Sequence, residues 1–175
     1  TCHHLIVVEN STERVVGTYR VRTLEMAVSA FGFYSSSEFT VENLPYEVLA
    51  ESLETGRACI ARDHRNSRVL FLLWKGLAKY MLQRRKRYAF GCCSLPSQNL
   101  LEGARAMQKL VREGHLHETL HVAPRDGLSC ASADPKADAD TTLPKLFQTY
   151  LRIGAKICGE PVIDTHFKTI DFFII

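Results

Sequence analysis

No apolar run in this chain reaches the length of a bilayer-spanning helix, about 18–20 residues, and its opening residues carry no signal-peptide pattern. A cytoplasmic location is the expectation. No Cys-x-x-Cys spacing occurs among the six cysteines, so the thiolate motifs of zinc modules and redox folds find no support. The stretch RDHRNSR at 62–68 lacks glycine, which excludes a Walker loop or a dinucleotide fingerprint there. Ser94 has no G-x-S-x-G setting, which argues against a serine hydrolase. Net charge is small as well. Twenty-two basic residues against 19 acidic ones leave +3, too little to imply nucleic acid as a partner.

What is present is ordinary globular composition. The 175 residues are 46% hydrophobic and 23% charged, enough for one domain with a core. The chain opens at once on HHLIVVE, and that abruptness points to a trimmed amino terminus. Cys92 and Cys93 are adjacent in a strand-like run, so their side chains should point to opposite faces. Buried free thiols in a reducing compartment are the expectation for the cysteines. His3 and His4 adjoin, and His115, His117 and His121 cluster in sequence, but neither group supplies the three or four convergent ligands of a zinc site. No metal is expected.

Apolar Leu5–Val8 and β-branched RVVGTYRV at 14–21 read as an antiparallel pair joined by a turn. Leu24–Phe31 has helical character. Phe33–Asn43 mixes serines with aromatics and reads as loop, with room for a short strand. A strand is expected over 53–60. The clearest helix runs over 67–82, with Leu70, Leu73, Trp74, Leu77 and Met81 at helical spacing and Ser67 suited to its cap. The run Arg84, Arg85, Lys86, Arg87 follows, where cations suit the helix dipole. Tyr88–Cys93 is a strand that Pro96 ends, and Asn99 with Glu102 resembles a capping pair before a second amphipathic helix. Residues 123–142 are turn-rich, Gly154 stops a helix, and the tail alternates strand and turn. There is no internal repeat. The pattern is that of an α/β or α+β domain with a mixed sheet.

Two features carry chemistry. A helix amino end is a natural anion site, and Arg62, Arg65 and Arg68 stand around this one. A solvated basic loop that caps the helix explains the same residues. Glu54 and Arg57 share one strand, where three-residue spacing puts them on opposite faces unless a bulge near Gly56 intervenes. Glu54 could serve as a general base or as a structural partner of an arginine.

Beyond patterning, HLIVVE, RVVGTYR, ETGRACI with its following DHR, FLLWKGLAKY, YAFGCCSLPS and LPKLFQTYLRIGAKICGEPVIDTHFKTIDFF together resemble one family. They are similar to the bacterial ornithine N-acyltransferases of ornithine-lipid synthesis, also described as haemolysin-like, within the GNAT (GCN5-related N-acetyltransferase) superfamily. Acyl-homoserine-lactone synthases and long-chain N-acyl amino acid synthases are related. The resemblance covers nearly the whole chain. It implies a GNAT-like mixed, mainly antiparallel sheet flanked by helices and splayed between the family's fourth and fifth strands, here 53–60 and 88–93. It implies one acyltransferase domain over 1–175, without the amino-terminal strand and helices that family members usually carry. It further implies an acyl thioester as donor substrate, either acyl carrier protein with its phosphopantetheine or acyl-coenzyme A, and no permanently bound cofactor. The acceptor is the α-amine of a small amino acid such as ornithine.

By the same resemblance Glu54 is the base, Arg57 orients it or binds the acceptor carboxylate, and Ser94 donates to the leaving thiolate. Ala58, Cys59 and Ile60 offer backbone N–H groups to the thioester carbonyl, and Arg65, Asn66, Ser67 and Arg68 meet the donor phosphate. ETGR stands where ELGR is usual, which keeps both charged positions. NSR replaces the usual glycines before the helix, so side chains take over part of the phosphate contact. Phe71, Trp74 and Leu77 are expected in the core rather than in an acyl tunnel. The run 84–87 fits a docking patch for an acidic carrier protein, with a solvated helix end as the alternative. A lipid product would bring transient contact with the inner membrane face. Coenzyme A-dependent short-chain acetyl transfer, acyl-homoserine-lactone synthesis and a non-catalytic thioester-binding module stay open.

Overall fold

The computed structural model describes residues 1–65, 67–130 and 141–175, without the Ser67 side chain. Two compact units make up the chain: Thr1–Phe33 with Tyr46–Phe90, and Tyr34–Pro45 with Gly91–Ile175. Strands β1 (His3–Glu9), β2 (Arg14–Thr23), β3 (Ser52–Ile60), β4 (Tyr88–Leu95), β5 (Val162–Asp164) and β6 (Thr169–Ile174) hydrogen-bond in the order β1-β2-β3-β4-β6-β5. Every pairing is antiparallel except β3 with β4. Strand β4 belongs to both units. Its residues up to Phe90 pair with β3, and those from Gly91 onward pair with β6.

In the first unit β1, β2 and β3 form a meander, and α3 (Ser67–Arg84) packs on it. Val69 and Leu73 are the helix residues that reach the core. Gly17 of β2 makes the approach possible, because a Cβ there would lie 2.8 Å from a Val69 methyl. The helical spacing read from the sequence holds, but the inner face is narrower than expected. Phe71 is 63% exposed, while Trp74 and Leu77 are half-buried. Short helices α1 (Leu24–Val28) and α2 (Tyr46–Ala50) flank the strands, and Thr23 caps α1 by accepting from the Met26 N–H. The second of these has no clear sequence signal. Lys86, counted in the basic run, turns inward instead. Its ammonium bonds the Ala50 carbonyl at 2.6 Å and Glu25 at 3.1 Å.

The second unit holds α4 (Leu100–Arg112) and α5 (Lys145–Arg152) against β4 and β6. Asn99 caps α4, its side chain accepting from the Leu101 N–H at 3.1 Å. The core joins Cys93 and Leu95 of β4, Ala106 and Leu110 of α4, Phe147 of α5, and Ile170 and Phe172 of β6. Cys92 and Cys93 face opposite ways, as strand alternation requires. Cys93 is in that core, while the Cys92 thiol lies beside Ser35 and Glu38. Residues 33–43 form two short 3-10 turns, with Phe39 bridged to Pro124 and its ring against Phe173. Gly154 ends the segment after α5 at φ 102, a conformation glycine adopts freely. Part of the turn-rich stretch, 131–140, lies outside the described residues. Among the described residues no helix is long and apolar enough to cross a membrane.

Candidate active site

The β3–β4 ladder covers only Ser52–Glu54 opposite Tyr88–Phe90. Glu54 therefore sits at its last rung, and it is 1% exposed. A charge so buried needs a counter-charge, and Arg20 of β2 supplies one at 3.7 Å. Gly56, in register with Arg20, leaves room for that side chain. A Cβ on it would lie 3.1 Å from the Arg20 guanidinium. The glycine of ETGR thus lets the arginine pass over the strand to Glu54.

The bulge that the sequence left open is present just after this point. Thr18 pairs with Cys59 but Arg20 pairs with Gly56, so Arg57 and Ala58 together face Tyr19. Arg57 takes a left-handed backbone at φ 54. Alternation is broken as a result: Arg57, Ala58 and Cys59 are all exposed in succession, and Ile60 is half-exposed. Bulges re-aim side chains and end regular pairing. This one presents a short exposed backbone segment a few residues beyond a buried carboxylate.

The loop after β3 is pinned to the β1–β2 end of the sheet. Arg14 holds Asp63 in two hydrogen bonds, at 2.7 and 3.2 Å. His64 stands between Glu9 at 3.0 Å and Asp63 at 3.2 Å. Hydrogen bonds from His64 and then Arg14 bring Asp63 down to about 2, and the bond to Glu9 raises His64. Arg65 turns back, its Nε donating to the Ile60 carbonyl at 3.3 Å. Arg62, Arg65 and Arg68 are exposed in the approach to α3. Ser67 is the first residue of that helix rather than the residue before it. Asn66 and the Ser67 side chain lie outside the described residues. The first unit thus brings Glu54, Arg57 and Ala58–Ile60 onto one strand, with Arg65 and Arg68 at its end and at the next helix.

Ser94 is in the second unit, directly across the β4–β6 ladder from Asp171. Its hydroxyl favours the ionised form of that carboxylate. Glu38, Cys92 and Asp171 converge there, with their carboxylate and thiol atoms within 4.8 Å of one another. Burial, and then the charge of Asp171, push Glu38 up to about 7. Burial raises Asp171 in turn, and raises Cys92 far above its ordinary value. Burial and the charge on Glu38 also raise Tyr34. Asp164 adds further negative charge, while its own Oδ1 accepts from the N–H groups of His166 and Phe167.

The sign for stability follows from Glu38. Its folded pKa lies above the unfolded value of about 4.3, so its contribution is fully present below that pH and is lost as pH rises through about 7. Melting temperatures measured from pH 5 to 8 should therefore fall for the wild type relative to Glu38→Gln. Parallel curves would contradict this placement of Glu38.

The sequence reading did not single out Arg20, Glu38 or Asp171. A lone acid inside the apolar run TIDFFII was the only available sign of Asp171. For Glu38, amid serines and aromatics, there was none.

The profile described as "Acetyltransferase (GNAT) domain" matches residues 1–75. An aminoglycoside 6'-N-acetyltransferase solved in complex with coenzyme A aligns with 98% of this chain and 69% of its own. The TM-score is 0.50 at 11% identity, a likeness of fold. The profile over 1–75 and the likeness of fold agree on a GNAT-like architecture, a mixed and mostly antiparallel sheet flanked by helices. Among curated relatives, the L-ornithine N(alpha)-acyltransferases of Rhizobium meliloti and Brucella abortus are 33% and 32% identical, each over 99% of this chain. The one from Rhodobacter capsulatus is 27% identical over 98%. Over nearly its whole length the chain is thus similar to L-ornithine N(alpha)-acyltransferases. It spans 63% and 66% of the length of the first two relatives.

Proposed function

We propose that this chain carries the catalytic part of an N-acyltransferase. It moves a long-chain acyl group from a carrier-protein thioester to the α-amine of an amino acid such as ornithine. The observation that carries the reading is Glu54, buried beside Arg20 at the last rung of the β3–β4 ladder, in a chain 33% identical to an L-ornithine N(alpha)-acyltransferase. An amino-acid α-amine is mostly protonated at neutral pH, so attack needs a base. Glu54 takes that proton, directly or through one water. The freed nitrogen attacks the thioester carbonyl, the C–S bond breaks, and the thiolate leaves as the free pantetheine thiol with the amide as co-product.

Backbone N–H groups of Ala58, Cys59 and Ile60 polarise the carbonyl. Arg57 binds the acceptor carboxylate. Arg65, Asn66, Ser67 and Arg68 hold the donor phosphate at the α3 start, and Ser94 donates to the leaving thiolate. The work takes place in the cytoplasm, with the lipid-like product bringing the enzyme to the inner membrane face. Mass spectrometry of products formed from acyl carrier protein and a pool of amino acids tests the reading. An N-acyl amino acid supports it, and acylation of none of them contradicts it.

Arg84 and Arg85 give the donor preference a physical basis. Both are exposed at the end of α3, while Lys86 is turned inward and Arg87 pairs with Glu51 at 3.2 Å. Exposed charge of this kind speeds encounter with an acidic partner and is screened by salt. The double variant Arg84→Ala, Arg85→Ala should lower kcat/KM for acyl carrier protein by about tenfold. It should flatten the salt dependence and leave acyl-coenzyme A turnover unchanged. Equal losses on both donors would argue against docking.

A further inference from the structure

We propose that the outward face of α3 docks on an anionic lipid bilayer, lying in its surface. The inference rests on the reading above, in which a lipid-like product is released, and it names the face through which the chain meets the membrane.

Helix α3 reads SRVLFLLWKGLAKYMLQR, 18 residues without one Asp or Glu. At 3.6 residues per turn, Arg68, Phe71, Leu72, Lys75, Lys79 and Leu82 fall within an arc of about 100°. That arc points away from Val69 and Leu73, the two residues that reach the core. All six are exposed. Phe71, Leu72 and Leu82 are exposed to 63%, 42% and 79%. One exposed apolar side chain is ordinary, but three on one stripe of one helix form a patch. Neither lysine has a counter-charge within the helix, since no acid stands three or four residues away. Cations and large apolar side chains therefore interleave along about 21 Å of a single face.

Both parts of this pattern suit an anionic bilayer. Phosphate headgroups attract the cations, and each Lys or Arg near such a surface strengthens binding roughly fivefold. Phenyl and leucyl groups enter the boundary between headgroups and acyl chains. The lysine stems lie along them while the ammonium groups stay at the phosphates. A protein partner fits this face less well. Protein interfaces are enriched in arginine and depleted in lysine, whereas two of the three cations here are Lys75 and Lys79. Among the described residues no helix is long and apolar enough to cross a membrane, so contact through α3 is with the surface.

The face is preformed, so docking orders little. Val69 and Leu73 anchor the inner side of α3 on the sheet, and Tyr80 ties it to β1 through His3 Nδ1 at 2.9 Å. Arg84 belongs to another side of the helix. It follows Lys75 by nine residues, about 180° around the axis, and its guanidinium lies 5.5 Å from the centre of the Tyr80 ring. The carrier protein and the bilayer are thus met by different sides of α3.

Cosedimentation of the full chain with vesicles tests this, using phosphatidylcholine alone and phosphatidylcholine mixed with phosphatidylglycerol. Binding should be about tenfold or more tighter to the anionic vesicles and should weaken as salt is raised. The double variant Lys75→Glu, Lys79→Glu should lose about tenfold or more of that binding. Phe71→Ala with Leu82→Ala should weaken it about fivefold or more while keeping the salt dependence. Lys145→Glu with Arg152→Glu makes the same change of charge at exposed positions of α5 and should leave binding unchanged. A wild-type chain that stays in the supernatant, or binds both vesicles equally, overturns the proposal whether or not the variants fold. An equal loss in the α5 variant overturns it too, because net charge alone would then explain binding. So does a Lys75, Lys79 variant that keeps its vesicle binding but loses turnover on acyl carrier protein, which would make this face a protein-docking surface. No acyl transfer is read in the sedimentation, so failure of the transferase reading would show separately, as absent product with vesicle binding intact.

Discussion

Replacing Glu54 by glutamine is expected to lower kcat by about 100- to 10,000-fold, the range over which a positioned base contributes. The fold should survive. Glutamine keeps the shape of a side chain that is 1% exposed, although Arg20, 3.7 Å from Glu54, loses its counter-charge, so a lower melting temperature is expected as well. The loss should shrink as pH is raised, because the acceptor amine then releases its proton without help. Unchanged turnover, or a deficit that ignores pH, would remove Glu54 from the role of base. A structural role alone would lower the melting temperature and leave the pH profile of the remaining activity unaltered.

Gly159→Ala is expected to be the most damaging single substitution to the fold. Gly159 has φ 154, a backbone that L side chains rarely adopt, and a Cβ there would lie 2.1 Å from the Val122 carbonyl oxygen. The obstacle is backbone and is held in place, since the Val122 N–H bonds the neighbouring Cys158 carbonyl at 2.6 Å. Backbone strain and overpacking each cost about 1–3 kcal/mol, so roughly 3–5 kcal/mol is expected in all. That is a drop of about 10 °C or more in melting temperature. Gly127 is the internal control. It also has positive φ, at 80, but nothing lies within 4 Å of its Cβ position. If Gly159→Ala melted no lower than Gly127→Ala, the close approach at Val122 would be wrong.

Much of the frame was legible in the sequence because it follows local rules. The helix over 67–84 announces itself by its apolar spacing, Asn99 by its place before an amphipathic run, and Gly154 by its position after one. Glu54 and Arg57 were readable as charges on a strand. The bulge that separates their environments was not, because it depends on how β2 and β3 register across the sheet. Arg20 was missed for the same reason. Its partner is 34 residues away, and only the cross-strand pairing with Gly56 brings them together. Phe71 misled in the other direction, since helical spacing assigns a stripe but not its width. Glu38 and Asp171 carry no periodic signal at all, and their meeting is purely tertiary.

The most direct test of the central claim is release of free thiol from long-chain acyl carrier protein, followed with and without L-ornithine. Hydroxylamine cleavage of the acylated carrier, run in parallel, shows that its thioester is present and reactive. The account predicts release by this chain that depends on the amine, in proportion to amide formed. An intact thioester after incubation with the chain and ornithine, on a carrier that hydroxylamine cleaves, would contradict it.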